Sequence, residues 1–131
     1  MQKLSLFLLT FTIIFLFSSC DKWGSVSYKA TNNTSEPINI QYQNNLSDNA
    51  QDTISVSISA NSTQELYIDS ELIEKEFPEE GDMLDFTINV LSVTKGNVPS
   101  TTDFSERTEW IYSKIDKEEA EFNLELTNDD F

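Results

Sequence analysis

The chain has 131 residues, with 8 basic and 23 acidic side chains, no histidine and a formal net charge of −15 at pH 7. This length predicts a single folded domain, and the strong negative charge repels phosphate backbones, which excludes nucleic acid as a partner. The lack of histidine removes the commonest general base and metal ligand, and the three glycines lie too far apart to form a phosphate-binding loop.

The first segment of the chain is an apolar leader. Lys3 gives it a short positive start, residues 4–17 are mostly apolar, and the small residues Ser18 and Ser19 precede Cys20. The apolar run is shorter than the roughly 20 residues that a transmembrane helix needs. Residues 1–19 are therefore predicted to be a cleaved signal peptide.

The end of this leader, Phe17-Ser18-Ser19-Cys20, resembles the lipobox of bacterial lipoprotein precursors, with Phe17 where that family usually has an aliphatic residue. The resemblance implies that Cys20 is lipidated, for example with palmitate, and becomes the first residue of the mature protein. It also implies anchoring to a membrane of the bacterial cell envelope, with the outer membrane favoured. Two or more acyl chains suffice for stable anchoring. The alternative is an ordinary secretory signal.

After the cysteine, residues 20–25 are predicted to form a short tether and residues 26–131 a single domain. From Val26 the apolar residues alternate with polar ones, which is typical of half-buried strands. Two such runs flank a segment rich in turn-forming residues, 31–37, and together they predict a hairpin. Its inward residues are Val26, Tyr28, Ala30, Ile38, Ile40 and Tyr42.

The third and fourth strands follow the same period. Ile54, Val56 and Ile58 share one face, and in the next strand Leu66 and Ile68 are predicted to point inward. Glu65 and Tyr67 are assigned to the outer face of that fourth strand. Between residues 69 and 82 the period changes, and an apolar side ending before Pro78 predicts a short helical turn.

The fifth strand is predicted from Leu84 onward, with Val90 on the inward face and Val93 on the opposite phase, which indicates either a bulge or burial on both sides near Val90. A turn follows at residues 95–97, then a loop over 98–107. Trp110 and Tyr112 share one face of the sixth strand. The last strand has four inward residues, Ala120, Phe122, Leu124 and Leu126.

About seven short strands in one domain are the pattern expected of an all-β, immunoglobulin-like antiparallel β-sandwich, here with one short helical turn. No crossover helix interrupts the strands, so a parallel sheet is disfavoured. A closed barrel or a jelly roll is the alternative fold.

Carboxylates are the only abundant reactive groups, and they cluster at residues 74–85. Calcium would need roughly six to eight converging oxygens, and no such motif is present. We interpret the cluster as a solvated acidic surface. The sequence therefore predicts no catalytic residue, no metal site and no cofactor.

Asp52-Thr53-Ile54 resembles the acceptor motif for O-glycosylation in some bacteria rich in lipoproteins, which implies Thr53 as the acceptor. Exposed aromatic rings can also bind sugars. Trp110, Tyr112 and Tyr67 are the candidates for such a platform, although Trp110 and Tyr112 are favoured as core because the opposite phase would bury Glu109.

Together these features predict a lipid-anchored envelope protein that acts as a non-enzymatic interaction module. Its partners would be the membrane, through Cys20, and an unidentified protein or glycan. A surface glycan-binding module is one alternative. A small inhibitor or hydrolase of the envelope is the other.

Overall fold

The computed structural model describes residues 22–44, 52–73, 76–81 and 84–131, and in these residues the chain forms two four-stranded β-sheets. One sheet has the strand order β4-β1-β8-β7 and the other β3-β2-β5-β6. The strands are β1 (Lys22–Asn32), β2 (Ile38–Asn44), β3 (Ile54–Ile58), β4 (Ser62–Ile73), β5 (Ile88–Lys95), β6 (Val98–Pro99), β7 (Trp110–Lys114) and β8 (Glu119–Leu126). Short 3₁₀ turns lie at Arg107–Glu109 and Asn128–Asp130.

The two sheets bury one shared hydrophobic core. The alternating residues predicted to point inward in β1, β2 and β8 are all buried, including Tyr28, Ile40 and Phe122. This confirms the prediction of an all-β sandwich, whereas the alternative of a closed barrel is wrong, because the strands form two separate sheets. The immunoglobulin-like arrangement is not confirmed, since β1 lies beside β4 and β8 rather than beside β2.

The predicted hairpin between β1 and β2 is wrong, because the two strands belong to different sheets. The connection between them is an arch held by the buried side chain of Asn32. Its Nδ2 donates to the carbonyls of Glu36, Ile58 and Ser59 at 2.8–3.1 Å, and its Oδ1 accepts from Thr34 at 2.8 Å. These hydrogen bonds give partners to backbone carbonyl and N–H groups where the chain passes from one sheet to the other.

β1 also departs from a purely antiparallel arrangement, because it pairs with β8 in parallel from Ser25↔Glu119 to Asn32↔Leu126. On its other side β1 pairs antiparallel with β4 over its whole length. Residues 22–25, predicted to be tether, are therefore part of β1, and the sheet begins before the predicted domain boundary at Val26. Cys20 lies outside the described residues.

β4 contains a bulge that reverses its inward and outward faces. Tyr28 pairs with Tyr67 and Lys29 with Glu65, so Leu66 is the extra residue. Leu66 stays buried and its carbonyl accepts a hydrogen bond from the Tyr42 hydroxyl of the facing sheet. Beyond the bulge Tyr67 packs on the core and Ile68 is exposed, so the predicted faces of these two residues are wrong.

The predicted helical turn over residues 69–82 is also wrong in its first part, because β4 continues to Ile73 as the partner of β1. Of the two alternatives predicted near Val90, a bulge or burial on both sides, the structure has the bulge. Gln41 pairs with Ser92 and Tyr42 with Val90, which makes Leu91 the extra residue and lets both Val90 and Val93 be buried. The strand itself begins at Ile88 rather than at Leu84.

Candidate binding face

Charged residues are divided unequally between the two sheets. The sequences of β1, β4, β7 and β8 contain six carboxylates and three lysines, whereas those of β2, β3, β5 and β6 contain only Lys95. In a chain of net charge −15 this leaves one whole sheet without a carboxylate. Desolvating such a surface avoids the cost of burying unpaired charge, so it is the face of the sandwich best suited to contact a partner.

The outer surface of the sheet β3-β2-β5-β6 presents rows of amide and hydroxyl side chains, which we call the neutral face. The pairing register sets one row as Ser57, Asn39 and Thr94 and the next as Ser55, Gln41 and Ser92. Ser92 Oγ donates to Gln41 Oε1 at 3.1 Å across this second row. The full set is Asn39, Gln41, Gln43, Ser55, Ser57, Asn89, Ser92 and Thr94.

The outer surface of the other sheet, which we call the acidic face, has a different chemistry. Lys29 Nζ bonds Glu121 Oε2 at 2.7 Å, and this hydrogen bond raises the pKa of Lys29. Thr31 links Thr63 and Asn123 at 2.9 and 3.0 Å. The acidic face therefore combines charged and neutral hydrogen-bonding groups that bond across neighbouring strands.

A groove of about 390 Å³ adjoins the neutral face, between β5 and the loop 99–104. Its lining includes Leu91 and Ser92 on one side and, on the other, Ser100, Thr101, Thr102 and one residue with a carboxylate, Asp103. Leu91 is exposed because it is the bulged residue of β5. The hydroxyls of Ser100, Thr101 and Thr102 already donate to Thr102 O, Asp130 O and Asp130 Oδ1, so their oxygens remain as hydrogen-bond acceptors beside the apolar side chain of Leu91.

Contacts with the segment 127–131 hold the loop wall of this groove in place. Thr101 N donates to Asp130 O at 2.8 Å and Thr102 Oγ1 to Asp130 Oδ1 at 3.1 Å. The other carboxylate oxygen of Asp130 accepts from Thr127 N at 2.7 Å. A ligand that binds in the groove would therefore not have to order its wall, which favours affinity.

The aromatic residues predicted as a possible sugar platform do not form one. Trp110 is 5% exposed and donates from Nε1 to Phe104 O at 3.1 Å, as expected for a core residue. Tyr112 packs on Phe122 with ring centroids 5.3 Å apart and donates to Pro78 O at 2.8 Å. Tyr67 stacks on Tyr28 at 6.1 Å. The platform assignment is therefore wrong, since inward alternation in β7 and the bulge in β4 place all three rings against the core.

The acidic segment at residues 76–85 is exposed at Glu76, Glu79, Glu80 and Asp85. Glu76 Oε1 lies 2.8 Å from Lys117 Nζ, and Glu79 Oε1 lies 2.8 Å from Lys114 Nζ. Within the described ranges, no group of three or more carboxylates is arranged to hold a metal ion. Glu74 and Asp82, which belong to the same predicted cluster, lie outside these ranges.

Thr53, the predicted O-glycosylation acceptor, is exposed just before β3, and its Oγ1 lies 3.4 Å from Gln43 Nε2. Cys20 is outside the part of the chain that the structure describes, and none of the helices in that part is long and apolar enough to cross a membrane. The neutral face itself was not anticipated. It could have been found by counting charges strand by strand, because the runs 38–44, 54–58 and 88–94 contain none.

Comparison of the chain with protein-family models, with curated proteins and with solved structures finds no match.

Proposed function

We propose that this protein is a lipid-anchored component of the bacterial cell envelope that binds a partner through its neutral face and has no catalytic activity. The observation that carries the binding role is the absence of carboxylates from one sheet of a strongly acidic chain. Solubility alone would be served by acidic residues on both faces. A partner can cover a face of amides and hydroxyls without burying an unpaired charge.

The anchor rests on the lipobox-like residues before Cys20 and on the short distance between that residue and the fold. β1 begins at Lys22, so a lipid on Cys20 would hold the sandwich close to the membrane surface. Anionic headgroups repel the acidic face. This repulsion favours orientations in which the acidic face points away from the bilayer.

The anchor is tested by replacing Cys20 with Ser in the full chain and following labelled palmitate and membrane fractionation. We expect the wild-type protein to incorporate label and to sediment with membranes. The variant should do neither, because it lacks the sulfur that carries the lipid. Equal palmitate labelling of the variant would refute the anchor.

The binding role is tested by adding charge to the neutral face with the double substitution Asn39→Asp and Gln41→Glu. Covering two unpaired carboxylates should weaken partner capture from envelope membranes by about tenfold or more. The matched control is Ile111→Asp with Ile115→Glu, which adds the same charge at an exposed residue of β7 and at the exposed residue that follows this strand. If the control weakens capture as much as the neutral-face variant does, the proposed face is wrong.

A glycan is the second candidate partner, and the groove beside β5 favours it. Hydroxyl oxygens of Ser100, Thr101 and Thr102 in its lining can accept hydrogen bonds from saccharide hydroxyls, and Ser92, which also lines the groove, bonds the amide of Gln41 on the neutral face. Glycan binding by the wild-type chain that is lost on Leu91→Ala, which removes an exposed side chain of the groove, would support this candidate over a protein partner.

A further inference from the structure

Four strands lie at sheet edges in the described part of the chain, and three of these edges are protected. β7 is flanked by the segment 78–81, through Tyr112 to Pro78 O and Lys114 to Glu79. β6 has two residues and ends in proline, which has no N–H to donate. β4 carries a bulge and an inward-pointing carboxylate, Asp69. Each device discourages another strand from pairing with that edge.

β3 has none of these devices. Its five residues, Ile54–Ile58, include no charge, no proline and no glycine. It pairs with β2 in an uninterrupted register from Ile38↔Ile58 to Tyr42↔Ile54. In the described residues β2 is its one neighbour in the sheet, so the other side of β3 presents backbone donors and acceptors that a further strand could use.

The sequence of β3, Ile-Ser-Val-Ser-Ile, is the same in both directions. In an antiparallel pair of two β3 strands centred on Val56, Ile54 of one copy lies opposite Ile58 of the other, and Ser55 lies opposite Ser57. Such a contact uses the same surface on both copies and closes as a two-fold dimer. Ile54 is 37% exposed in the single chain, and the β-branched pair would cover part of that surface.

Charge also selects this edge for contact between identical chains. Two copies that each carry a net charge of −15 repel one another wherever carboxylates approach. The sheet that contains β3 has no carboxylate in any of its strands. Pairing at β3 therefore brings the least acidic parts of the two molecules together.

We infer that two copies of this chain pair through the free edges of β3, antiparallel and centred on Val56. The two sheets β3-β2-β5-β6 would then form one continuous eight-stranded sheet, and the two neutral faces would form one surface. This pairing does not depend on the lipid anchor. A five-residue edge makes a small interface, so the dimer belongs to the transient class and dissociates on dilution.

Charge substitutions at Ser55 and Ser57 test both the contact and its register. The full chain, purified in detergent, is examined by analytical ultracentrifugation over a concentration series. Ser55→Asp combined with Ser57→Asp places carboxylates opposite each other and should raise the dissociation constant by roughly tenfold or more. Ser55→Lys combined with Ser57→Asp places lysine opposite aspartate in the antiparallel pair and should restore the dimer.

The control is Asn39→Asp combined with Gln41→Asp, which adds equal charge to the same face on the inner strand β2. Two β2 strands in the dimer are separated by both β3 strands, about 14 Å at the usual strand spacing, where salt screens the repulsion. This variant should dimerise like the wild type. Circular dichroism checks that every variant remains folded.

Three results would overturn the inference. One is a wild-type chain that stays monomeric up to about 1 mM. Another is a dimer that survives the paired aspartates at positions 55 and 57. The third is a failure of the lysine and aspartate combination to restore association, because only the antiparallel register centred on Val56 places those two charges opposite each other.

Discussion

Asp69 lies on the inward side of β4, because the bulge at Leu66 shifts the phase of the strand. It pairs with the buried Val26 in the register and bonds the side chain of the buried Thr87. Burial raises the pKa of the Asp69 carboxyl above its ordinary 3.8, while hydrogen bonds from Thr87 and Ser70 partly oppose this shift. The native state therefore holds this proton more tightly than the unfolded chain does.

Asp103 is the opposite case, on the fully exposed side of the groove loop. Its Oδ1 accepts hydrogen bonds from the N–H and the hydroxyl of Ser105 at 3.0 and 2.7 Å. These bonds favour the ionised form and lower the pKa of Asp103. The folded chain thus contains two aspartates whose ionisation affects stability with opposite signs.

We predict that Asp69→Asn and Asp103→Asn change the pH dependence of stability in opposite directions. Because the pKa of Asp69 is raised in the native state, the stability of the wild type falls as the pH rises from about 3.8 through that raised pKa. The Asn variant lacks this titration, so the stability of Asp69→Asn relative to the wild type should increase with pH. For Asp103, stability is lost as the pH falls through the lowered native pKa. The relative stability of Asp103→Asn should therefore decrease as the pH rises.

Urea unfolding at a series of pH values from about 3 to 7 measures both differences. Each variant is compared with the wild type at the same pH, so the titration of the other carboxylates cancels. Slopes of the same sign for the two variants would contradict this account.

At the scale of the elements, the arch between β1 and β2 depends on one buried amide. Asn32 donates to three carbonyl groups and accepts from Thr34, with no exposed surface. We predict that Asn32→Asp lowers the free energy of unfolding by about 3 kcal/mol or more, because a carboxylate would face carbonyl oxygens and could not donate.

Asn32→Ala leaves the same carbonyls without this donor but buries no charge, so it should cost less, about 1–3 kcal/mol. Urea midpoints at unchanged slope measure both effects. A smaller loss for the aspartate than for the alanine variant would show that the arch rearranges to admit water.

The strand faces were predictable wherever a strand alternates without interruption. In β1, β2 and β8 every residue that the period of two predicted to point inward is buried, and in β7 the same argument placed Trp110 in the core. β1 also buries Gly24 and Asn32, which were assigned to the tether and to the turn. The change of phase in β5 was also visible in the sequence, since Val90 and Val93 are apolar on opposite phases, but burial on both sides was an equal alternative to a bulge. The alternation of apolar and polar residues was sufficient for these predictions, because the polarity of a residue indicates directly whether its side chain is buried.

The pairing of the strands was not predictable in the same way. β1 and β2 are adjacent in sequence but lie in different sheets, and residues 70–73 are strand because β1 offers a partner. At the bulge, the carbonyl of Leu66 accepts a hydrogen bond from the hydroxyl of Tyr42 in the facing sheet. These are long-range contacts, and the sequence around each residue does not contain them.

For the molecule as a whole, the division of charge gives the sandwich two unlike sides. Lys29 and Glu121 pair on the acidic face, while Asn39 and Gln41 mark the neutral one. Long-range repulsion acts mainly on the acidic face and weakens within about 8–10 Å at moderate salt. An approaching molecule of like charge is therefore directed to the neutral face.

The parallel pairing of β1 with β8 also determines the order in which the two sheets can form during synthesis. β1 is synthesised before the other strands described, yet one of its two neighbours, β8, is the last of them to be made. The sheet β3-β2-β5-β6 can assemble from strands closer together in sequence, whereas the sheet containing β1 stays incomplete until translation has passed Leu126. Contacts of such long sequence separation slow folding, so a nascent chain stopped before β8 would expose the aromatic side of β1 to the surrounding solvent and to chaperones.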